Sequence, residues 1–115
     1  YCTAGGLAVL SRLTDAEIAD IFGRSDVTPF TPQTMTTLDQ VMAEVQATRQ
    51  RGHALTVRQL LNHEIALGVP VLDGQGRPVG AIHLAGSLDE HSAEEFSTRF
   101  GSLLQQAGKS LSRYR

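Results

Sequence analysis

The stretch from Glu64 to Gly86 constrains this chain more than any other. Two strand-like runs, Glu64 to Leu72 and Arg77 to Gly86, flank the turn cluster Asp73-Gly74-Gln75-Gly76, the pattern of a β-hairpin. Side chains alternate along a strand, so a slip of one residue exchanges the two faces. Pairing Leu72 with Arg77 leaves a four-residue loop and sorts the residues by size. Ile65, Leu67, Val69, Val71, Ile82 and Leu84 then share one face. Ala66, Gly68, Pro70, Ala81, His83 and Ala85 share the other. Pairing Leu72 with Pro78 mixes large and small residues on both faces, so the first register is preferred. Pro70 and Pro78 cannot donate to a ladder and could shift it locally. The bulky face is a core face. The small-residue face leaves space for a closely packed helix or for a ligand. His83 is a titratable group in that floor and calls for a partner: Glu64, a diagonal neighbour in this register, a ligand carboxylate or a water.

The rest of the chain reads as helices around this hairpin. Thr3 to Leu13 is a helix with Leu7, Leu10 and Leu13 on one face, and its Ala4-Gly5-Gly6 start suits a turn whose backbone N–H groups approach something closely. Thr14 with Glu17 forms a capping box for a second helix, which ends at Gly23. Arg24 to Thr36 is a loop, with Phe30 between Pro29 and Pro32 as its expected buried anchor. Thr37 with Gln40 caps a third helix that Gly52 stops. His53 to Val57 is a short strand, and Arg58 to His63 has no clear period. Ser92 with Glu95 opens a long amphipathic helix with Phe96, Phe100, Leu103, Leu104, Ala107 and Leu111 assigned to one face. The fold class expected is α+β, an antiparallel sheet with flanking helices.

Bulk properties exclude several functions. A net charge of -2 with dispersed basic residues gives no patch for nucleic acid or an anionic membrane. No apolar run approaches the roughly 18 residues needed to cross a bilayer. Cys2, the single cysteine, cannot form an internal disulfide and suits a reducing cytoplasm. As a nucleophile it has no motif-linked histidine beside it, and it reads as a buried structural residue. Glu94 and Glu95 sit in the first turn of a helix, where they favour the macrodipole. His53, His63, His83 and His91 lack ligand spacing, and His91 reads as a solvated loop residue. No enzyme, metal site or cofactor is expected.

Five segments resemble, in order and at the right spacing, the effector domain of IclR-type transcription regulators. Tyr1-Cys2-Thr3-Ala4-Gly5-Gly6-Leu7-Ala8 is similar to H-A-T-A-x-G-K-A, and Pro29-Phe30-Thr31-Pro32-Gln33-Thr34 to L-x-x-Y-T-P-x-T. Arg49-Gln50-Arg51-Gly52-His53-Ala54 is similar to R-x-R-G-Y-A, Leu67 to Asp73 to A-A-P-V-x-D, and Val79 to Gly86 to V-A-A-I-S-V-S-G. The resemblance implies a GAF-like, profilin-like sensor domain that binds a small-molecule effector, often an organic acid. It also implies a cytoplasmic homodimer or homotetramer that touches DNA only through an N-terminal winged helix-turn-helix. The chain opens without Met and is read as the later portion of that effector domain, with the winged domain and the first strands upstream of it. Family effector positions fall on Ala4, Gly5, Thr56, Ala66, His83 and Ala85. The family Lys is Leu7 here, the opening His is Tyr1, the acidic run is Thr56-Val57-Arg58-Gln59, and both hairpin serines are gone. A larger or less polar effector, such as an aromatic metabolite, is therefore expected. The competing expectation is an oligomerisation module with no ligand of its own, built on the long helix from Ser92.

Overall fold

The computed structural model describes residues 1–112. In chain order the elements are α1 (Ala4–Leu10), α2 (Asp15–Gly23), α3 (Leu38–Arg51), β1 (Ala54–Val57), β2 (Glu64–Leu72), β3 (Pro78–Ser87) and α4 (Ala93–Leu111). The strands form an antiparallel sheet in the order β1-β2-β3. One face carries α1 and α3, where Ala4, Leu7, Ala8, Val41 and Val45 pack with Ala54 and Ala66. The other face carries α4, where Phe96 and Leu104 pack with Ile65, Leu67 and Val69. The hairpin sorting thus separates two cores, a small-residue one under α1 and a bulky one under α4.

The helix ends follow from their capping chemistry. Thr14 and Thr37 each accept from the amide three residues on, and Glu17 and Gln40 reach back to complete both boxes. At the last helix only half of the expected box forms, with the Ser92 side chain accepting from the Glu95 amide. Gly52 stops α3 at φ 92°, a left-handed position that glycine adopts without a Cβ penalty. Arg49 then ties this end of α3 to the α1–α2 link, donating to the Ser11 and Leu13 carbonyls and to the Asp15 carboxylate.

Four further expectations are corrected. The hairpin pairs Glu64 with Ser87 through Val71 with Gly80, two residues beyond the expected register, and the tip pairs Leu72 with Pro78 after an irregularity between Val71 and Leu72. The turn causes this. Asp73 N donates to Arg77 O at 2.9 Å, while the Asp73 carboxylate accepts from the Gln75 and Arg77 amides. Gly76, at φ 79°, completes a three-residue loop followed by a bulge. The bulge leaves Val79 unpaired and 67% exposed. A slip of two preserves parity, so the two faces keep the expected members.

Phe30 is no anchor, being 57% exposed. The loop is held by Thr31 and Thr34, both buried, whose hydroxyls donate to the carbonyls of Arg58 and Gln59. The Met35 amide adds a bond to Gln59 Oε1 at 2.8 Å. Nor does α4 have one apolar face. It buries Phe96, Gly101, Leu104 and Gly108, and leaves Leu103 and Leu111 62% and 64% exposed. His91 is half-buried rather than solvated, with its ring 5.4 Å from that of Phe96.

Candidate functional site

Rows of small residues cross the sheet under α1. Thr56 pairs with Ala66, which pairs with Ala85; the next row is Ala54, Gly68 and His83. The start of α1 lies directly on the second row. A Cβ on Gly68 would run into the Ala4 carbonyl and lie 2.9 Å from the Gly5 amide, so only glycine fits there. Gly5 itself sits over Ala81, where a Cβ would find an ordinary 3.7 Å contact. Both uses of the small-residue face therefore occur together, with helix packing at Gly68 and open space beside it.

That space is a cavity of about 280 Å³ lined by Thr3, Ala4, Gly5, Thr56, Leu60, Glu64, Ala66, His83 and Ala85. All six positions singled out in the sequence, Ala4, Gly5, Thr56, Ala66, His83 and Ala85, border it. Ala4, Thr56 and Ala66 are buried in its walls, whereas His83 and Ala85 lie exposed on the edge strand β3. Of the three partners considered for His83, Glu64 does not serve. His83 sits opposite Gly68 and Glu64 opposite Ser87, four residues apart along β3, and no hydrogen bond joins them. Exposure removes the need for a partner, because water can solvate the imidazole.

Three lining residues were not among the six. Thr3 caps α1, accepting from the Gly6 amide at 3.0 Å, and this capping pattern could have marked it. Glu64 was considered only as a partner for His83. Leu60 belongs to the aperiodic 58–63 turn, which carried no usable signal. That turn is held in place by Arg58, the single non-glycine residue with positive φ (56°) among the described residues. Its Nε donates to Asn62 O, and its amide bonds to Glu64 O across the ladder.

The cavity's polar equipment is sparse: a Thr3 hydroxyl already engaged as a cap, the Thr56 hydroxyl, the Glu64 carboxylate and the His83 imidazole. No nucleophile–base pair is assembled there. Among the described residues no three His, Cys, Asp or Glu side chains converge as a metal site. His53 is satisfied elsewhere, its ring nitrogens 2.9 Å from Gln105 Oε1 and 2.8 Å from Ser97 Oγ on α4.

An antiparallel sheet between helical layers, with a cavity between a helix start and a small-residue floor, defines a GAF-like α+β domain. The chain belongs to the IclR family: the family model described as "Bacterial transcriptional regulator IclR C-terminal" matches residues 1–113. Among curated relatives, the HTH-type transcriptional regulator XynR of Escherichia coli K12 is 29% identical over 113 residues, covering 98% of this chain and 44% of that protein. The structure of Thermotoga maritima IclR matches with a TM-score of 0.89 at 25% identity, over 98% of this chain and 45% of that one. A double mutant of the PobR inducer-binding domain from Acinetobacter, in complex with 3-hydroxybenzoic acid, matches in fold with a TM-score of 0.86 at 23% identity, over 98% of this chain and 66% of that one. The chain spans less than half the length of the curated relatives it matches. Those relatives are named as transcription regulators, and the matched family model is that of a transcriptional regulator's C-terminal domain.

Proposed function

We propose that this domain binds a small organic acid or aromatic metabolite in the 280 Å³ cavity and thereby tunes operator binding by a cytoplasmic DNA-binding regulator. DNA contact belongs to a winged helix-turn-helix upstream. The observation that carries this reading is convergence: Ala4, Gly5, Thr56, Ala66, His83 and Ala85 come from four elements and border one cavity. Its size suits a single substituted ring, since an apolar cavity of about 150 Å³ already takes benzene. The acid in the PobR complex is of that class. Alanine in place of serine-like groups at Ala85 favours an apolar ring over a very small polar acid. His83 is the group best placed to meet its anionic or hydroxyl substituent.

A thermal-shift screen of the full-length protein against aliphatic and aromatic acids tests this. A ligand at 100 times its dissociation constant adds about 2.7 kcal/mol of stability, and the response should weaken in His83→Ala. If no acid shifts the transition, or if His83→Ala leaves every shift unchanged, the assignment fails.

A second reading, an oligomerisation module, draws on α4. Leu103, Ala107 and Leu111 are spaced i, i+4, i+8 and all face solvent, an apolar stripe suited to a second chain. The two roles are compatible, and a homodimer or homotetramer would use this stripe while the cavity binds ligand.

A further inference from the structure

A second polar cavity lies outside the effector reading. It has a volume of about 160 Å³ and lies between α3 and β1, with Glu44, Arg51, Leu55, Thr56, Val57 and Gln59 in its walls. Glu44 and Arg51 are seven residues apart, so they project from the same face of α3 with Cα atoms roughly 10.5 Å apart along the axis.

Glu44 Oε2 and Arg51 Nη1 are both buried without a hydrogen-bond partner. They make no ion pair with each other; the pairs formed among the described residues join Arg24 to Asp20, Arg49 to Asp15 and Arg77 to Glu17. The contrast with Arg49, two residues earlier on the same helix, is informative. Arg49 uses its guanidinium on two carbonyls and a carboxylate, whereas Arg51 spends none of its donors on the protein. Both residues are half-buried, with these two atoms turned inward; a buried charged atom left unpaired is costly and calls for an explanation such as a ligand that completes the site.

The wall opposite α3 adds backbone groups. Arg58 N donates to Glu64 O, so the even-numbered residues of β1 aim their amides at β2. By the alternation of an antiparallel ladder, Leu55 and Val57 turn N–H and C=O to the outer edge, and both residues border this cavity. Gln59 is already engaged with the Met35 amide and the Gln33 carbonyl. The cavity thus offers one anionic acceptor, one cationic donor and backbone groups of both kinds.

We propose that this cavity is a second small-molecule site, selective for a neutral carboxamide or ureido group. The NH₂ of such a group donates to Glu44, and its C=O accepts from Arg51. A carboxylate would meet the Glu44 charge, and an ammonium would meet Arg51. The volume admits a group of a few heavy atoms. The inference does not rest on the effector reading, because Glu44 and Arg51 line this cavity and not the effector one.

The test uses the full-length protein and ligand-observed NMR with acetamide and N-methylurea, against acetate and methylammonium as charged counterparts. The two neutral probes should bind saturably in the millimolar range expected for so few atoms, with the charged ones at least tenfold weaker. Glu44→Met and Arg51→Met should each weaken the neutral probes at least tenfold. They should not lower the melting temperature, since each removes a half-buried charge that makes no bond to the protein; a structural ion pair would lower it. Ala85→Trp, on the exposed rim of the other cavity, should leave amide binding intact. Absence of saturable amide binding, equal binding of acetate and acetamide, or unchanged binding in both Met variants overturns the proposal. So does amide binding lost in Ala85→Trp but kept in Arg51→Met. Should the Met variants fail to fold, the charge comparison on the unmodified protein decides.

Discussion

Gly68→Ala should be among the most damaging single-methyl additions in this domain. The new Cβ would sit 2.9 Å from the Gly5 amide nitrogen and closer still to the Ala4 carbonyl. Comfortable heavy-atom contacts are about 3.5 Å, so the first turn of α1 must retreat by more than about 0.5 Å. Both neighbours are backbone, held by the Thr3 cap and by the packing of the fully buried Leu7 and Ala8, and cannot swing aside like a side chain. Overpacking costs about 1–3 kcal/mol, and rigid neighbours place this case near the top of that range. For a domain of this size that is a fall of about 8–12 °C in melting temperature. Gly5→Ala is the matched control. Its Cβ would meet Ala81 Cβ at 3.7 Å, and replacing a helical glycine favours the helix by up to about 1 kcal/mol. Calorimetry of both variants in the full-length protein should therefore give shifts of opposite sign. Equal losses, or a Gly68→Ala transition matching the unmodified protein, would refute the placement of α1 on the small-residue floor.

His53→Ala should cost about 1–3 kcal/mol by leaving Gln105 and Ser97 without their partner; chemical denaturation reads this, and an unchanged midpoint would exclude a structural role for the ring. Glu17 is held below the usual carboxylate range, first by the Thr14 backbone amide and then by Arg77. A carboxylate whose folded pKa is depressed adds stability above its unfolded pKa and loses it as pH falls through the folded one. Glu17→Gln should therefore lower the melting temperature at neutral pH, with the difference vanishing in acid; a gap that persists at low pH would contradict this. Leu103→Glu with Leu111→Glu should leave the melting temperature of the domain nearly unchanged while reducing the mass seen by sedimentation, and an unaltered mass would remove α4 from the assembly surface.

What the sequence revealed depended on whether an interaction was local or parity-protected. The two capping boxes at Thr14 and Thr37 lie within four residues and were legible. The hairpin faces were legible for a different reason: the three-residue loop moved the register by two, and an even slip returns every side chain to its expected side. The slip itself was hidden, because it depends on Asp73 binding two amides and on Gly76 at positive φ. The Phe30 loop misled because a proline-flanked aromatic resembles an anchor, while the actual anchors are Thr31 and Thr34 reaching carbonyls 27 and 25 residues away. The long helix misled because glycine carries no hydropathy signal. Gly101 and Gly108 admit the His53 ring and Val69 against the helix, which turns α4 so that Leu103 faces solvent.

The same geometry explains why a cavity exists at all. Helix α1 has seven residues, a length of roughly 10 Å. It starts over Gly68, and the Ser11–Arg12 segment beyond its end borders a hollow with Pro70, so it covers the floor in that direction only. The row Thr56–Ala66–Ala85 lies two residues the other way, roughly 6.6 Å along the strand, at the margin of a helix that starts over Gly68 and only partly covered by it. Large side chains in that row would fill the gap and bind nothing. Small ones leave it open, bounded by Ala4 and Gly5 at one end and by the Leu60 turn at the other. Glycine at position 68 and alanine at positions 66 and 85 thus act together: the first brings the helix close enough to wall the cavity, and the others keep its floor clear. This predicts that Ala66→Leu abolishes ligand-induced stabilisation while leaving α1 docked, whereas Gly68→Ala lifts α1 and weakens both.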